Sequence, residues 1–179
     1  MKLIWFDLET TGLDPRRDDV LEVAVAVADL IAPFAHSDVK SWVCTYRWAV
    51  WSWPQVVREM HLKNGLIEEA GRSIIRINDV ESEILRMVPE CVTDPPVLAG
   101  FSVHFDLEFV RNTMPTLAKR LSHRVYDVSA VKLFCRSLGM PEMPKGEEPH
   151  RAAADVLQSI EHARRCSIWL AVKHHLVTL

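Results

Sequence analysis

The chain has 179 residues, 49% of them hydrophobic and 25% charged, which is the composition of a soluble globular protein with room for one core. Its formal net charge of −3 excludes the broad basic surface of proteins that bind long duplexes, so a nucleic-acid ligand has to be short or held locally. No apolar run is long enough for a signal peptide or a membrane span, and four widely spaced cysteines without a CxxC pair favour free thiols in a cytoplasmic protein.

The beginning of the chain is predicted to form a three-strand antiparallel meander. Residues 3–6 are a short apolar run with the character of a buried strand. A polar turn at residues 14–19 leads into residues 20–28, where valine and alanine alternate as in a second strand. After a loop around residues 33–38, residues 39–46 are predicted to form the third strand.

Helices are predicted next. One begins at Gln55 and ends near Gly65, a residue suited to a left-handed cap. Asn78 or Asp79 is expected to cap the next helix, whose apolar positions keep helical spacing until Pro89 ends it.

Two short strands and three helices complete the pattern. Residues 96–101 are predicted to form a short buried strand that leads into a helix ending near Pro115. Residues 124–128 are predicted to form the last strand, followed by a helix over residues 129–138. Three prolines predict a loop over residues 140–149. From Arg151 the pattern is helical to the end, with a break near Ser167.

This order of elements predicts one α/β domain over residues 1–179. Three antiparallel strands followed by helix, strand, helix, strand and helix is the order of ribonuclease H-like folds. The expected sheet is mixed and five-stranded, with a three-strand meander and two parallel strands flanked by helices.

Asp7 and Glu9 directly follow the apolar run of the first strand. Alternate residues of a strand point to the same face, so these carboxylates lie within reach of one another. Such a pair is costly to ionise at the end of a buried strand unless a cation compensates it or one acid stays protonated. The pattern indicates half of a divalent-metal site; the alternative is a solvated strand end that caps the turn at residues 10–12.

Two further acids and a histidine lie in similar settings. Asp106 stands at the start of a predicted helix, and its alternative role is that of a first-turn residue that favours the helix dipole. Asp155 follows three alanines, which leave room for the close approach of another element or a ligand. His150 is five residues earlier and does not share a helical face with Asp155, and a loop position would suit a general base. The alternatives for Asp155 and His150 are ordinary surface or structural positions.

Five segments carry a resemblance to a known family, in order and over nearly the whole chain. They are WFDLETTGLDP at 5–15, HLKNGL at 61–66, GFS at 100–102 ahead of Asp106, RVYDVS at 124–129 and HRAAAD at 150–155. In this ordered combination the chain resembles the DEDDh class of 3′-to-5′ exonucleases, and within that class the oligoribonucleases.

The resemblance implies a phosphodiester hydrolase that releases nucleoside 5′-monophosphates. Asp7, Glu9, Asp106 and Asp155 would hold two Mg²⁺ or Mn²⁺ ions, which suit oxygen ligands and an in-line displacement. His150 would deprotonate the attacking water. The substrate would be contacted by Thr10, Gly12, Leu13, His61, Ser102, Arg124 and Ser129.

Three positions depart from the family pattern, and all three concern the grip on substrate. Val56 stands where the family usually has a tryptophan, Phe101 where it has asparagine, and His123 where it has a tyrosine lent to the partner subunit. A tryptophan cluster nearby, Trp48, Trp51 and Trp53, has two interpretations, base stacking or a place in the core or a dimer contact.

The leading hypothesis is a metal-dependent exoribonuclease that acts on the 3′ ends of short single-stranded RNA, in the cytoplasm and as a homodimer. One alternative is a DNA exonuclease of the same class, of proofreading or repair type. The other is a non-catalytic nucleic-acid-binding protein with the same fold. No membrane association is expected.

Overall fold

The structure is a computed structural model that describes residues 1–88, 90, 91, 93–143 and 150–173. Six strands are present: β1 Lys2–Thr10, β2 Val20–Asp29, β3 Ala32–His36, β4 Lys40–Val43, β5 Val97–Gly100 and β6 Val125–Asp127. The α-helices are α1 Gln55–Lys63, α2 Leu66–Arg72, α3 Ile77–Met87, α4 His104–Thr113, α5 Pro115–Arg120, α6 Val128–Ser137 and α7 Ala152–Lys173. A short 3-10 helix, Val50–Ser52, precedes α1.

The strands form one mixed sheet. β2 runs antiparallel to β1, β3 and β4 both pair antiparallel with β2, and β5 and β6 extend the other side of β1 in parallel. The predicted α/β class, with a meander and two parallel strands, is therefore confirmed.

The outer edge of the sheet differs from the prediction. Residues 33–38 were expected to be a loop, but β3 occupies most of them, and β4 covers only part of the predicted strand 39–46. β3 pairs with the end of β2 near Ala28, whereas β4 pairs with residues 22–25, so two short strands share one edge. Pro33 is accommodated because an edge strand has one side without ladder partners.

The sheet separates two apolar layers. Ile4, Phe6 and Leu8 of β1 face the layer that contains α3, α4 and α5. Leu3 and Trp5 face the opposite layer, in which Ala152 and Val156 of α7 pack. Because side chains alternate along a strand, Asp7 and Glu9 continue the second series and point toward the beginning of α7.

Several helix boundaries correct the predictions. α3 begins at Ile77, so neither Asn78 nor Asp79 is its cap; instead the Asp79 carboxylate accepts a 3.1 Å hydrogen bond from the backbone N–H of Arg76. α7 continues through Ser167 without the expected break, because its buried face remains packed at Cys166.

Other boundaries agree with the predictions. Gly65 adopts φ +79° between α1 and α2, as expected for a left-handed cap. α4 ends at Thr113 and α5 starts anew at Pro115, a favourable first position for proline. Pro89, residues 144–149 of the predicted loop and the end of the predicted last helix lie outside the described residues.

Gly100 lets the end of β5 lie against β1. A Cβ atom on this residue would come within 2.6 Å of the backbone oxygen of Phe6. The short loop that follows Gly100 leads into α4, so the start of α4 is brought close to the carboxyl end of β1. All four cysteines are free, as expected. Among the described helices, none combines the length and apolar character needed to cross a membrane.

Candidate active site

Three carboxylates meet where β1 ends and α7 begins. Asp7, Glu9 and Asp155 each offer an oxygen within 4.8 Å of those of the other two. The register of β1 presents the first two on the α7 side of the sheet, and the small side chains of residues 152–154 allow α7 to approach. Acids that are 148 positions apart in the chain, Asp7 and Asp155, are thus brought into one cluster.

Asp106 lies beside this cluster in the first turn of α4, and only 4% of it is exposed. Burial raises its pKa to about 8, although hydrogen bonds from the backbone N–H groups of Asp106 itself and Leu8 act in the opposite direction. Asp106 is outside the group of three acids that lie within 4.8 Å, but its charge raises the pKa of Asp7.

The electrostatics of the cluster disfavour full ionisation. Burial raises the pKa of Asp7 well above its usual range, and the neighbouring charges of Asp106, Asp155 and Glu9 add to the shift. Burial and then the charge of Asp155 raise the pKa of Glu9 to about 8. The raised pKa values of Asp7 and Glu9 therefore favour their protonated forms unless a cation stabilises the charged ones.

The residues present fit a divalent cation of the hard type. All the donors are carboxylate oxygens, which Mg²⁺ and Mn²⁺ prefer over the nitrogen and sulfur ligands selected by softer metals. Burial is the main cause of the raised pKa values of Asp7, Glu9 and Asp106, neighbouring negative charges add to it, and a bound cation would stabilise the charged forms.

The raised pKa values of these buried acids predict that the metal-free protein loses stability as the pH rises. Glu9 and Asp106 titrate near pH 4 in an unfolded chain but at about pH 8 when folded, so between these values the folded state binds more protons and the free energy of unfolding falls with pH. With EDTA present, we expect the Tm to drop by about 5 °C between about pH 7 and pH 8.5. Thermal denaturation followed by circular dichroism measures it.

Two controls accompany this measurement. Asp106→Asn removes one titrating group and should flatten the pH dependence, and saturating MnCl₂ should raise the Tm more at the higher pH. The interval starts near pH 7 so that His61 stays neutral throughout. Burial lowers the pKa of His61, so its protonation destabilises the fold only when the pH falls below the ordinary histidine pKa of 6.5. A Tm that is constant or rises over this interval would contradict the assignment of buried acids.

His150 lies outside α7, two residues before its first residue, and is exposed. Its carbonyl oxygen accepts a hydrogen bond from the side-chain amide of Asn64, at the turn between α1 and α2. Asn64 in turn accepts a 3.0 Å hydrogen bond from the N–H of Leu66. The imidazole is thus carried by a short segment that is tied at its backbone and leaves the ring free of the helix, as the sequence predicted.

His61 occupies a different place from the one expected for a substrate contact. It is completely buried, and its Nε2 donates a 3.0 Å hydrogen bond to the backbone oxygen of Thr10. The same nitrogen lies 3.8 Å from a carboxylate oxygen of Glu9. With no exposed surface to offer a substrate, His61 instead supports the end of β1, where Asp7 and Glu9 lie.

The loop after β1 presents one apolar side chain. The Thr10 hydroxyl donates a 2.6 Å hydrogen bond to the oxygen of Gly12, which closes the turn. Leu13 follows and is 79% exposed. It lines a cavity of about 450 Å³ together with His104 and Phe105, the residues just before Asp106. Leu13 thus contributes an exposed apolar side chain to a cavity whose lining also includes charged residues.

Two serine hydroxyls form a pair near the start of α4. The Ser102 and Ser129 hydroxyl oxygens are 3.1 Å apart, and Ser102 has φ +45°, a left-handed conformation that is uncommon for a residue other than glycine. One oxygen of Asp127 accepts hydrogen bonds from the backbone N–H groups of both serines, at 3.1 and 2.8 Å. Arg124 is exposed at the beginning of β6.

The positions that depart from the family pattern have different surroundings. Val56 is 77% exposed, and His123 is exposed. Phe101 packs edge-on against His162 with ring centroids 5.1 Å apart, so it belongs to the α7 layer.

The three tryptophans of the cluster differ in burial, so they do not share one interpretation. Trp53 is 5% exposed and packs in a small core edge-on against Tyr46, whereas Trp48 and Trp51 are exposed. Base stacking therefore remains open to the latter two only.

Sequence reasoning missed the buried polar residues that support the cluster. Glu22 is 2% exposed and pairs with Glu9 across β1 and β2, and Arg151 binds it with a bidentate ion pair. The sequence does carry a signal for Glu22, which is a charged residue inside a strand rich in valine and alanine. A charged residue that is buried in such a strand has to be paired. Asn64 and Asp127 were within the quoted motifs but were not assigned a role.

The sequence of the chain is similar to those of known exonucleases and oligoribonucleases. Residues 4–162 match the family RNase_T, described as exonuclease. The chain is 36% identical to the oligoribonuclease of Mycobacterium leprae (strain TN) over 169 residues, which cover 91% of this chain and 78% of that protein. It is 32% identical to the oligoribonuclease of Corynebacterium diphtheriae over 164 residues, which cover 89% and 78% of the two chains.

Solved structures show the same fold at lower identity. Exonuclease I from Methylocaldum szegediense superposes with a TM-score of 0.67 at 22% identity, over 91% of this chain and 39% of that one. E. coli exonuclease I in complex with a dT13 oligonucleotide gives a TM-score of 0.64 at 19% identity, over 92% and 40%. The chain thus spans about two fifths of these proteins, and the likeness confirms the expected ribonuclease H-like fold.

Proposed function

The chain belongs to the RNase_T exonuclease family and is a 3′-to-5′ exonuclease, and on this premise we propose that it degrades short single-stranded oligoribonucleotides to nucleoside 5′-monophosphates. The observation that carries the proposal is the cluster of Asp7, Glu9 and Asp155 at the end of β1. The names of the curated relatives favour oligoribonucleotides as substrates.

We assign the metal ligands to the buried acids. Asp7, Glu9, Asp106 and Asp155 would hold two Mg²⁺ or Mn²⁺ ions. When bound, the ions supply charge stabilisation for the attacking and leaving oxygens of an in-line displacement. Asp7 and Glu9 of β1, Asp106 of α4 and Asp155 of α7 would hold the ions at the end of β1, and His61 keeps that strand end in place through Thr10.

His150 acts as the general base in this proposal. Its imidazole takes a proton from the attacking water at a ring nitrogen, which histidine does readily near neutral pH. Its exposed position ahead of α7 gives it reach, while the bond from Asn64 to its carbonyl oxygen limits the motion of its backbone.

The remaining residues are proposed to hold the substrate. Leu13 offers an apolar surface to the terminal base, together with the turn at Thr10 and Gly12. The hydroxyls of Ser102 and Ser129 and the guanidinium of Arg124 suit phosphate oxygens, since all three can donate hydrogen bonds. His61 makes no substrate contact in this proposal, since it is buried and supports the strand end through Thr10.

A DNA exonuclease of the same class is the competing function. A comparison on one gel separates the two: labelled dinucleotide RNA, a long RNA and single-stranded DNA are supplied at equal concentration with MnCl₂. We expect the short RNA to be consumed first, because a chain of net charge −3 provides few contacts for a long phosphate backbone. Faster loss of the long DNA would overturn the proposed substrate.

A non-catalytic binding protein is the third possibility, and the acid cluster argues against it. Four clustered acids, three of them with pKa values raised by burial, cost folding free energy, and a protein with no use for a cation has no physical reason to keep them together.

We further propose a cytoplasmic homodimer. The free cysteines are consistent with a reducing compartment.

Leu133 and Phe134 of α6 are 67% and 58% exposed, and neighbouring apolar residues of this size are common in subunit interfaces. Sedimentation equilibrium at the mass of a single 20.5 kDa chain would contradict the dimer.

A further inference from the structure

We propose that Arg151 is a positioning residue, which anchors the first turn of α7 to β2 and α2 and so holds His150 and Asp155 in place at the end of β1. This inference rests on the proposed function. It assigns a role to a partly buried ion-pair network that lies beside Glu9 of the acid cluster.

Arg151 binds two carboxylates at once. Its Nε and Nη2 donate to the two oxygens of Glu22 at 2.9 and 3.2 Å. Its Nη1 and Nη2 also donate to the two oxygens of Glu69, at 3.0 and 2.8 Å. The guanidinium therefore bridges β2 and α2, two elements that are far from α7 in the chain.

Glu22 is committed to this network and is not a fifth metal ligand. One of its oxygens also accepts a 3.1 Å hydrogen bond from the backbone N–H of Ala152, the first residue of α7. Glu22 lies directly opposite Glu9 in the β1–β2 register and is 2% exposed. A buried carboxylate in this position needs a countercharge, and Arg151 supplies it.

The network controls both functional residues of this segment. Arg151 follows His150 directly, and its carbonyl oxygen accepts a 3.0 Å hydrogen bond from the N–H of Asp155. Fixing the Arg151 side chain therefore fixes the residue before it and the helical turn after it. The amide of Asn64 holds the His150 carbonyl from the other side.

The geometry accounts for the choice of arginine. A planar guanidinium can satisfy two carboxylates with parallel pairs of hydrogen bonds, whereas a lysine ammonium is a point charge and cannot form both pairs. A lysine at this position would keep the charge next to Glu22 but would loosen the connection to Glu69.

The test compares Arg151→Met and Arg151→Lys with Arg165→Met. Arg165 lies on the same helix and pairs with Glu161 at 2.7 Å, but on an exposed surface, so it is a matched control. The readouts are Mn²⁺ binding by titration calorimetry, and kcat and KM on a labelled trinucleotide RNA.

Arg151→Met should lower kcat about 10- to 100-fold and weaken Mn²⁺ binding about tenfold, the range typical of partners that orient metal ligands. Its KM should change by less than about twofold, because the substrate contacts proposed above lie elsewhere. Arg151→Lys should recover part of the kcat but not all of it, and Arg165→Met should match the wild type within about twofold.

The outcomes separate this inference from the proposed function. If Arg151→Met binds Mn²⁺ and turns over like Arg165→Met, the positioning role is overturned. If the wild type binds Mn²⁺ but hydrolyses no oligonucleotide, the proposed function fails, and the Mn²⁺ affinities alone decide whether Arg151 positions Asp155.

A second variant applies if Arg151→Met does not fold. Glu69→Gln weakens only the ion pair between Arg151 and Glu69. The Glu69 carboxylate is half-exposed, so this variant should fold normally. It is expected to lower kcat about two- to fivefold, in line with the loss of a partly exposed ion pair. An unchanged kcat in Glu69→Gln, with no effect on Mn²⁺ affinity, would overturn the bridge between α2 and α7.

Discussion

Asp7→Ala is expected to abolish metal-dependent hydrolysis while the protein stays folded. Asp7 has a carboxylate oxygen within 4.8 Å of those of Glu9 and Asp155, and the charge of Asp106 also raises its pKa. Loss of a residue that only orients a ligand already costs 10- to 100-fold, so loss of a ligand should reduce kcat/KM by more than about 100-fold. Hydrolysis of a labelled dinucleotide RNA with MnCl₂ measures the effect.

Stability provides the second half of this prediction. Removal of a buried carboxylate relieves repulsion, so the Tm of Asp7→Ala in EDTA should equal or exceed that of the wild type. Asp29→Ala is the matched control, since Asp29 ends the neighbouring strand and pairs with Lys2 at the surface. An Asp7→Ala protein that turns over at the wild-type rate would show that the metal site lies elsewhere.

His150→Ala should retain metal binding and lose most of the rate. A positioned general base contributes about 10²- to 10⁴-fold, and kcat is expected to fall within that range. His150 is not among the clustered acids, so the affinity for Mn²⁺ measured by titration calorimetry should remain within about twofold of the wild type.

The control for this variant is His36→Ala. His36 lies in β3 at the outer edge of the sheet, with its Nδ1 2.7 Å from the backbone oxygen of Ser37. It should leave kcat unchanged. Loss of Mn²⁺ binding in His150→Ala would contradict the general-base role and would instead place the imidazole among the ligands.

The acid cluster is an example of stability given up for function. Asp7, Glu9 and Asp106 are held where burial raises their pKa values, and Asp155 and Glu22 add further negative charges beside them. The Arg151 guanidinium offsets the charge of Glu22, and the proposed cation would offset the others. On this proposal metal binding and folding are coupled, and metal removal is expected to weaken both activity and the fold.

Local patterns were sufficient to predict the elements that contribute the acids. The apolar run ahead of Asp7 predicts a buried strand, and alternation along that strand predicts that Asp7 and Glu9 share a face. Prediction failed at the edge of the sheet, because the pairing of β3 with β2 depends on how sharply the chain reverses after Asp29. It also failed at Ser167, since packing along α7 outweighs a weak local signal.

The sequence by itself determined the order and type of the acids, the histidine ahead of the last helix and the resemblance of the surrounding motifs, because these depend on short stretches of chain. Only the tertiary structure decided what supports them. Glu22 and Arg151 are 129 positions apart, and their ion pair exists because β2 and α7 pack against one another. His61 is likewise 51 positions from Thr10, and no local pattern distinguishes a buried support from a substrate contact. Burial and long-range pairing are properties of the assembled fold, so the candidate site residues could be named from short motifs and the residues that support them could not.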